Sequence, residues 1–266
     1  MPYLHHHGCK IHYSVTGNGP NVVLLHGLGS GSRDWEPQIT ALAPRYRVLA
    51  IDLPGHGPSQ RWPDERPYSI VRFADDLKSV MEHVGMLTAH IVGFSMGGAV
   101  AFQLATTHAG CAHSLTIVNS APSFIFKGIA RATLWQRIGL IHLLGMSALG
   151  KVLATRLFPE NPELQQEFTR SFRGNDKKSY LATMRALDGW DVRQSLPDIT
   201  CPTLIVASNR DYTPVKHKRA YALAIPNATL EIIEGAHHAV PLEKADIFNA
   251  TLLGFLDAIE ALPEAV

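Results

Sequence analysis

The sequence has little charge. Asp, Glu, Lys and Arg make up 18% of its 266 residues, against about 25% in an average globular chain. A net charge of +1 leaves no overall field to draw the protein to nucleic acid or an acidic partner. Cysteine is scarce. Cys9, Cys111 and Cys201 are an odd, scattered set with no CxxC spacing, which argues against a disulfide framework or a zinc site. Each reads as a small buried hydrophobe in a reducing compartment. Long apolar runs are absent. The longest, Ile138 to Gly150, falls short of the roughly 20 residues that span a bilayer. The start, Met1-Pro2-Tyr3-Leu4-His5, has neither a basic cluster nor an apolar h-region, so no signal peptide is expected and the location reads as cytoplasmic. No P-loop, Rossmann fingerprint or HExxH motif occurs, so neither cofactor nor metal is expected. His5-His6-His7 reads as a surface triplet before a turn at Gly8.

What is present is apolar content, 46% of residues, enough for a large core without staples. Short β-rich runs alternate with helical patterns, the signature of a mostly parallel sheet with helices on both faces. Lys10 to Thr16 alternates as an early strand or hairpin arm. Asn21–Leu25, Arg47–Ile51, Ala89–Val92, Leu115–Val118, Thr203–Ala207 and Leu230–Ile233 are short continuous apolar runs, as strands buried on both faces require. Ser69 is an N-cap candidate, and Ile70, Phe73, Ala74, Leu77, Val80, Met81 and Val84 recur behind it at helical spacing. Ile247, Phe248, Leu252, Phe255, Leu256 and Ile259 mark a last amphipathic helix. From about Pro122 to Asp198 the alternation stops and only helical patterns remain, such as Leu134 to Leu144 and Leu164 to Phe172. The expected organisation is a core of residues 1–121 and 199–266 with a helical cap, 122–198, inserted into it.

The run Gly93-Phe94-Ser95-Met96-Gly97 carries the chemistry. It lies between the strand ending at Val92 and the helix-forming stretch from Gly98 to Ala105, the setting of a nucleophile elbow. A reversal that sharp brings the positions two before and two after the serine together, so only glycine fits. Ser95 then stands at a helix N-terminus, where free N–H groups favour a developing oxyanion. A serine needs a base, and Gly235-Ala236-His237-His238 follows the last strand. The residues alone leave His237 and His238 both open. A carboxylate must orient the base. Asp211 follows a strand end, whereas Asp188, Asp191 and Asp198 follow none and read as surface carboxylates. The Met96 amide and an amide in the loop His26-Gly27-Leu28-Gly29, best that of Leu28, suit an oxyanion hole. His26 reads as a brace of that loop, and Asp52-Leu53-Pro54-Gly55-His56-Gly57 as a structured turn.

These segments, with Ser59, Arg210-Asp211-x-x-Pro214, Glu243 and Phe248-Asn249, resemble the α/β-hydrolase-fold enzymes of the esterase, lactonase and C–C hydrolase group. They span nearly the whole chain. The resemblance implies a doubly wound, mostly parallel sheet with a helical cap. It puts His238 at the base, with His237 where a glycine is common, and completes the order Ser95, Asp211, His238. It implies attack of Ser95 on an ester or lactone carbonyl, an oxyanion held by the Leu28 and Met96 amides, an acyl-enzyme hydrolysed by water, and no cofactor. Asp takes the nucleophile position in relatives that open epoxides or remove halides, so Ser95 argues against both. C–C bond hydrolysis, cofactor-free perhydrolysis and a non-catalytic ligand-binding role are the alternatives. The expected partner is a small ester or lactone. Between Pro122 and Phe158 the cap holds Lys127, Arg131, Arg137, Lys151 and Arg156 but no Asp or Glu. That composition suggests acidic or acyl-chain substrates, or contact with an acidic acyl carrier or membrane surface.

Overall fold

The continuous apolar runs form the middle of one eight-stranded sheet. A computed structural model describes residues 2–63 and 67–261. The strands are β1 (Tyr3–His6), β2 (Cys9–Thr16), β3 (Asn21–Leu25), β4 (Arg47–Ile51), β5 (Ala89–Phe94), β6 (Ala112–Val118), β7 (Thr203–Ser208) and β8 (Ala228–Ile233). Their order across the sheet is β1-β2-β4-β3-β5-β6-β7-β8. The first two pairings are antiparallel and every pairing from β4 onward is parallel. The parallel strands read as apolar runs because both faces are covered. Val23, Leu25, Ile91, Leu115 and Ile117 pack on one side, and Val22, Leu24, Val92, Val118 and Val206 on the other. Strand β1 had no signature of its own. It is half-exposed and joins β2 through a turn at His7 and Gly8, both at positive φ.

Helices α1 (Glu36–Leu42), α2 (Ile70–His83) and α3 (Met96–Thr107) fall between strands. The Ser69 side chain caps α2 by accepting from the Arg72 amide at 3.1 Å. Between β6 and β7 come only helices: α4 (Ile129–Leu157), α5 (Pro162–Arg173), α6 (Lys177–Leu187) and a 3₁₀ turn at Arg193–Asp198. They share a small core of their own that includes Ile138, Leu149, Phe158, Phe172 and Met184. The last helices are α7 (Val215–Ala222), α8 (Val240–Glu243) and α9 (Ala245–Glu260).

Three details depart from the sequence reading. The apolar stretch around Ile138 belongs to a much longer helix, and Arg131–Leu157 is long and apolar enough to cross a membrane by length and composition. Gly145, at φ 77° and ψ −179°, breaks α4 in two, so neither half reaches the roughly 20 residues a span needs. Ile138, Ile141, Leu149, Leu153 and Leu157 turn inward to the cap core. Ile247 is exposed, while Phe248, Leu252, Leu256 and Ile259 form the buried stripe of α9. Of the three free cysteines only Cys9 is fully buried, and Cys111 and Cys201 are half-buried.

Candidate active site

The carboxyl ends of β5, β7 and β8 bring the three predicted residues together. Ser95 ends β5 and opens α3 with φ 54° and ψ −115°, a backbone region that ordinary side chains avoid. The elbow is clamped from both directions. The Ser95 amide donates to Val118 O at 2.9 Å, and the Ser120 hydroxyl donates to Ser95 O at 2.6 Å. A side chain at Gly93 would collide with the Gly97 carbonyl, and one at Gly97 with that of Leu25. Both glycines are therefore required by close approach of the backbone.

His238, in the loop between β8 and α8, turns its two ring nitrogens to the two partners. Nε2 lies 3.0 Å from Ser95 Oγ and Nδ1 lies 2.5 Å from Asp211 Oδ1. Asp211 is acceptor-only as a carboxylate, so the network assigns the proton to Nδ1 and leaves Nε2 to accept from the serine. The Tyr212 ring stacks on His238 at 4.5 Å and the Phe94 ring sits 5.1 Å away. His237 is turned elsewhere. Its amide and Nδ1 donate to Glu243 at 2.5 and 2.6 Å.

Asp211 is fully buried as a side chain, and donors surround it. The Tyr212 amide reaches it at 2.7 Å and the Thr213 hydroxyl at 2.8 Å, besides His238 and the Lys218 ammonium. Burial alone would raise its pKa. Hydrogen bonding and charge from His238 and Lys218 outweigh that and hold the carboxyl well below the usual range. Burial pulls the Lys218 ammonium below its ordinary value, and Asp211 opposes this. Asn119, at φ 43°, ties the strand ends together. Its Nδ2 donates to Ser208 Oγ at 2.7 Å and to His238 O at 2.8 Å, and its Oδ1 accepts from the Ser208 amide at 2.9 Å.

Leu28 and Met96 both line the same cavity as Ser95. Among the described residues neither amide makes a backbone hydrogen bond outside its own element. Gly27 lies against Ser95, with no room to spare beside the Phe94 ring. His26 braces this loop. The Leu53 amide donates to its Nε2 at 3.0 Å, so Nδ1 carries the proton and donates to Gly27 O at 2.8 Å. Burial keeps His26 below the ordinary histidine range and lowers His56 to about 3. The Asp52 turn holds itself, since Asp52 accepts from the Ser32 amide and from His12 Nδ1 at 2.7 and 2.6 Å. Asp188, Asp191 and Asp198 are exposed and outside the cavity.

The cavity has a volume of about 390 Å³. Phe124, Phe126, Leu153, Leu157, Phe158 and Phe168, from the helical segment, form much of its wall. The charged groups facing it outside the Asp211 pair are Asp34 and Arg137. Burial pushes Asp34 up, and Ser30 donates to it. Among the described residues Arg137 makes no hydrogen bond or ion pair. Sequence reasoning missed Asn119, whose partners lie far along the chain, and also the Lys218–Asp211 and His237–Glu243 contacts, which are close in sequence but carry no pattern of their own. Tyr212 stood one residue from Asp211 without a signal of its own.

A protein of Azorhizobium caulinodans named carbamate hydrolase RutD is 32% identical to this chain, over 98% of this chain and all of the relative. The 3-oxoadipate enol-lactonase 1 of Acinetobacter baylyi is 29% identical, with 91% of each covered. The crystal structure of the enol-lactonase from Burkholderia xenovorans superposes with a TM-score of 0.88 at 29% identity, covering 96% of this chain and all of that one. The sheet order, the helices on its faces and these likenesses describe one fold. Residues 22–251, from β3 into α9, match the model of the alpha/beta hydrolase family, and the chain belongs to that family.

Proposed function

We propose that the protein is a serine hydrolase that cleaves a carboxylic ester or lactone through an acyl-enzyme on Ser95. The observation that carries this is the unbroken line Ser95 Oγ, His238, Asp211, with contacts of 3.0 and 2.5 Å. Ser95 attacks the carbonyl carbon while His238 Nε2 takes its proton. The ionised Asp211 holds the imidazole in the tautomer that accepts, and stabilises the imidazolium. The Met96 and Leu28 amides receive the oxyanion. The imidazolium then protonates the leaving oxygen, and water, deprotonated by the same nitrogen, releases the acid. No cofactor enters this chemistry. A carbamate and an enol lactone, the substrates in the relatives' names, both offer a carbonyl with a heteroatom leaving group.

The acyl part of the substrate carries an acidic group. Arg137 supports this: a cation in an otherwise apolar wall, with no carboxylate among the described residues paired with it. Lys127, Arg131, Lys151 and Arg156 are exposed instead, so Arg137 is the cation of this set that faces the cavity.

The test is turnover of p-nitrophenyl esters of graded length, simple lactones, a carbamate and a β-diketone. Ester or lactone hydrolysis and labelling of Ser95 by a fluorophosphonate are expected. In Ser95→Ala kcat should fall by about 10⁴-fold or more. Undiminished turnover in Ser95→Ala refutes the mechanism. Turnover of the β-diketone alone would favour C–C hydrolysis, and binding without turnover or labelling a receptor role.

A further inference from the structure

A second cluster of chemically capable side chains lies at the opposite end of the sheet. His90 is the second residue of β5, His113 the second of β6, and Glu260 the last of α9. Ser95 lies five residue steps along from His90, roughly 16 Å at 3.3 Å per residue. The two imidazoles come from adjacent parallel strands and meet one carboxylate oxygen. His90 Nε2 lies 3.0 Å from Glu260 Oε1, and His113 Nε2 lies 3.4 Å from the same atom. The three donor atoms all fall within 4.8 Å of one another. Among the described residues no other such group of His, Cys, Asp or Glu occurs.

Two of the three separations suit a coordination polyhedron, and the third, between the two imidazole nitrogens, lies within 4.8 Å. A tetrahedral ion with bonds of about 2.0–2.1 Å keeps its ligand atoms about 3.3 Å apart, and the two short separations, 3.0 and 3.4 Å, bracket that. The surroundings supply what a ligating histidine needs on its far side. His90 Nδ1 lies 2.7 Å from the hydroxyl of Ser114, and both residues are buried. A hydroxyl either donates or accepts. Ser114 Oγ can therefore accept a hydrogen bond from Nδ1–H and leave the Nε2 lone pair facing the cluster, with no heavy atom moved. An orienting partner of this kind is a regular part of histidine metal sites.

We propose that His90, His113 and Glu260 bind one zinc-type divalent transition ion, with water as the fourth ligand, and that the ion clamps the end of α9 to the foot of the sheet. Two imidazoles and one carboxylate select zinc, cobalt or nickel over magnesium or calcium. The site is remote from Ser95 and stands independently of the reaction proposed there. Its role is to fix a helix end, which Glu260 otherwise joins to the foot of the sheet through a hydrogen bond to His90 and a 3.4 Å contact with His113.

The experiment uses the full chain, stripped with a chelator and titrated with Co²⁺ and Zn²⁺. One equivalent of Co²⁺ should bind with the intense visible bands of a four-coordinate ion. Zn²⁺ should displace it and raise Tm, and magnesium should do neither. His113→Ala and Glu260→Gln, both at partly exposed positions, should lose about 100-fold or more in affinity, and Ser114→Ala about 10-fold. Circular dichroism checks that the variants are folded. Replacing His5, His6 and His7 together by Gln should leave the bands unchanged. Absence of stoichiometric binding overturns the proposal. So does binding that survives His113→Ala and Glu260→Gln, or that disappears with the N-terminal triplet.

Discussion

The two walls of the cavity beside Ser95 are built on different principles. On the sheet side, directional bonds fix the polar groups around Ser95 and Asp211. Asp211 accepts from two side chains, a ring nitrogen and an amide, and Asn119 spans β6, β7 and the His238 loop. On the cap side, rings and aliphatic chains meet the cavity, and Arg137 stands among them without a partner from the described residues. Hydrogen bonds constrain angle and distance, while apolar packing constrains volume. On the proposed reading, the sheet rim sets what reaction occurs, and the helical segment sets which acyl group is admitted. If that division is right, rim variants change kcat and cap variants change KM.

The strongest test separates two adjacent residues of the rim. His237 and His238 each bind a carboxylate through Nδ1, at 2.6 and 2.5 Å, but only His238 turns Nε2 to Ser95. His238→Ala should lower kcat by about 10⁴-fold or more. His237→Ala should instead cost about 1–3 kcal/mol of stability, because it strips a ring donor from the nearly buried Glu243. Its kcat should stay within a few fold. Steady-state kinetics and urea denaturation on both variants measure the contrast. Loss of kcat in the His237 variant alone would reverse the assignment.

Lys218→Met tests whether the rim's buried charges act through stability. Lys218 and Asp211 are both inaccessible as side chains. Removing the ammonium should cost about 3 kcal/mol at neutral pH, the lower end for breaking a buried pair, since three other donors remain on Asp211. The sign with pH follows from the depressed carboxyl. Its stabilisation is complete above the unfolded carboxylate value and is lost as pH falls through the folded one. The gap between wild type and Lys218→Met should thus be widest near neutrality and shrink at and below the unfolded carboxylate range. Denaturant titrations across pH 2.5–7 would contradict this if the gap grew in acid.

The cap side is probed by Arg137→Gln. With esters of equal length, a terminally carboxylated substrate should lose about tenfold in kcat/KM, or about 1.4 kcal/mol, mainly through KM. The neutral substrate should be unaffected. An equal loss on both would make Arg137 a packing residue.

How much was readable follows the same division. Asn21–Leu25 and Arg47–Ile51 coincide with the observed strands because burial on both faces writes a continuous apolar run. The Ser95 elbow and Asp211 were legible because strand-end position and glycine spacing are local, whereas only the family resemblance separated His238 from His237. Asn119 was not legible, since its bonds depend on where the chain returns: it meets Ser208 at a separation of 89 residues. Lys218 lies only seven residues from Asp211, but no sequence pattern marks that lysine for burial. The full length of α4 was hidden by glycines. Gly139 and Gly150 sit inside it, and packing overrides their weak propensity. Strand β1 was hidden by polarity, being half-exposed at a sheet edge.

The finest test of the division concerns Gly145. Its φ of 77° with ψ near 180° is open almost only to glycine, yet no neighbouring atom would obstruct a side chain there. The residue is required by conformation alone. It separates the half of α4 that carries Arg137 from the half that carries Leu153 and Leu157, and all three face the cavity. Gly145→Ala should cost about 1 kcal/mol, the low end for a strained backbone position, as read by urea denaturation. The chain would relieve that strain by closing toward a continuous helix, which shifts Arg137 against the apolar wall. The preference for carboxylated over neutral esters should then shrink through KM, while kcat on the neutral ester holds. A fall in kcat on the neutral ester would mean that the kink also positions the rim, and the two walls would no longer be separable.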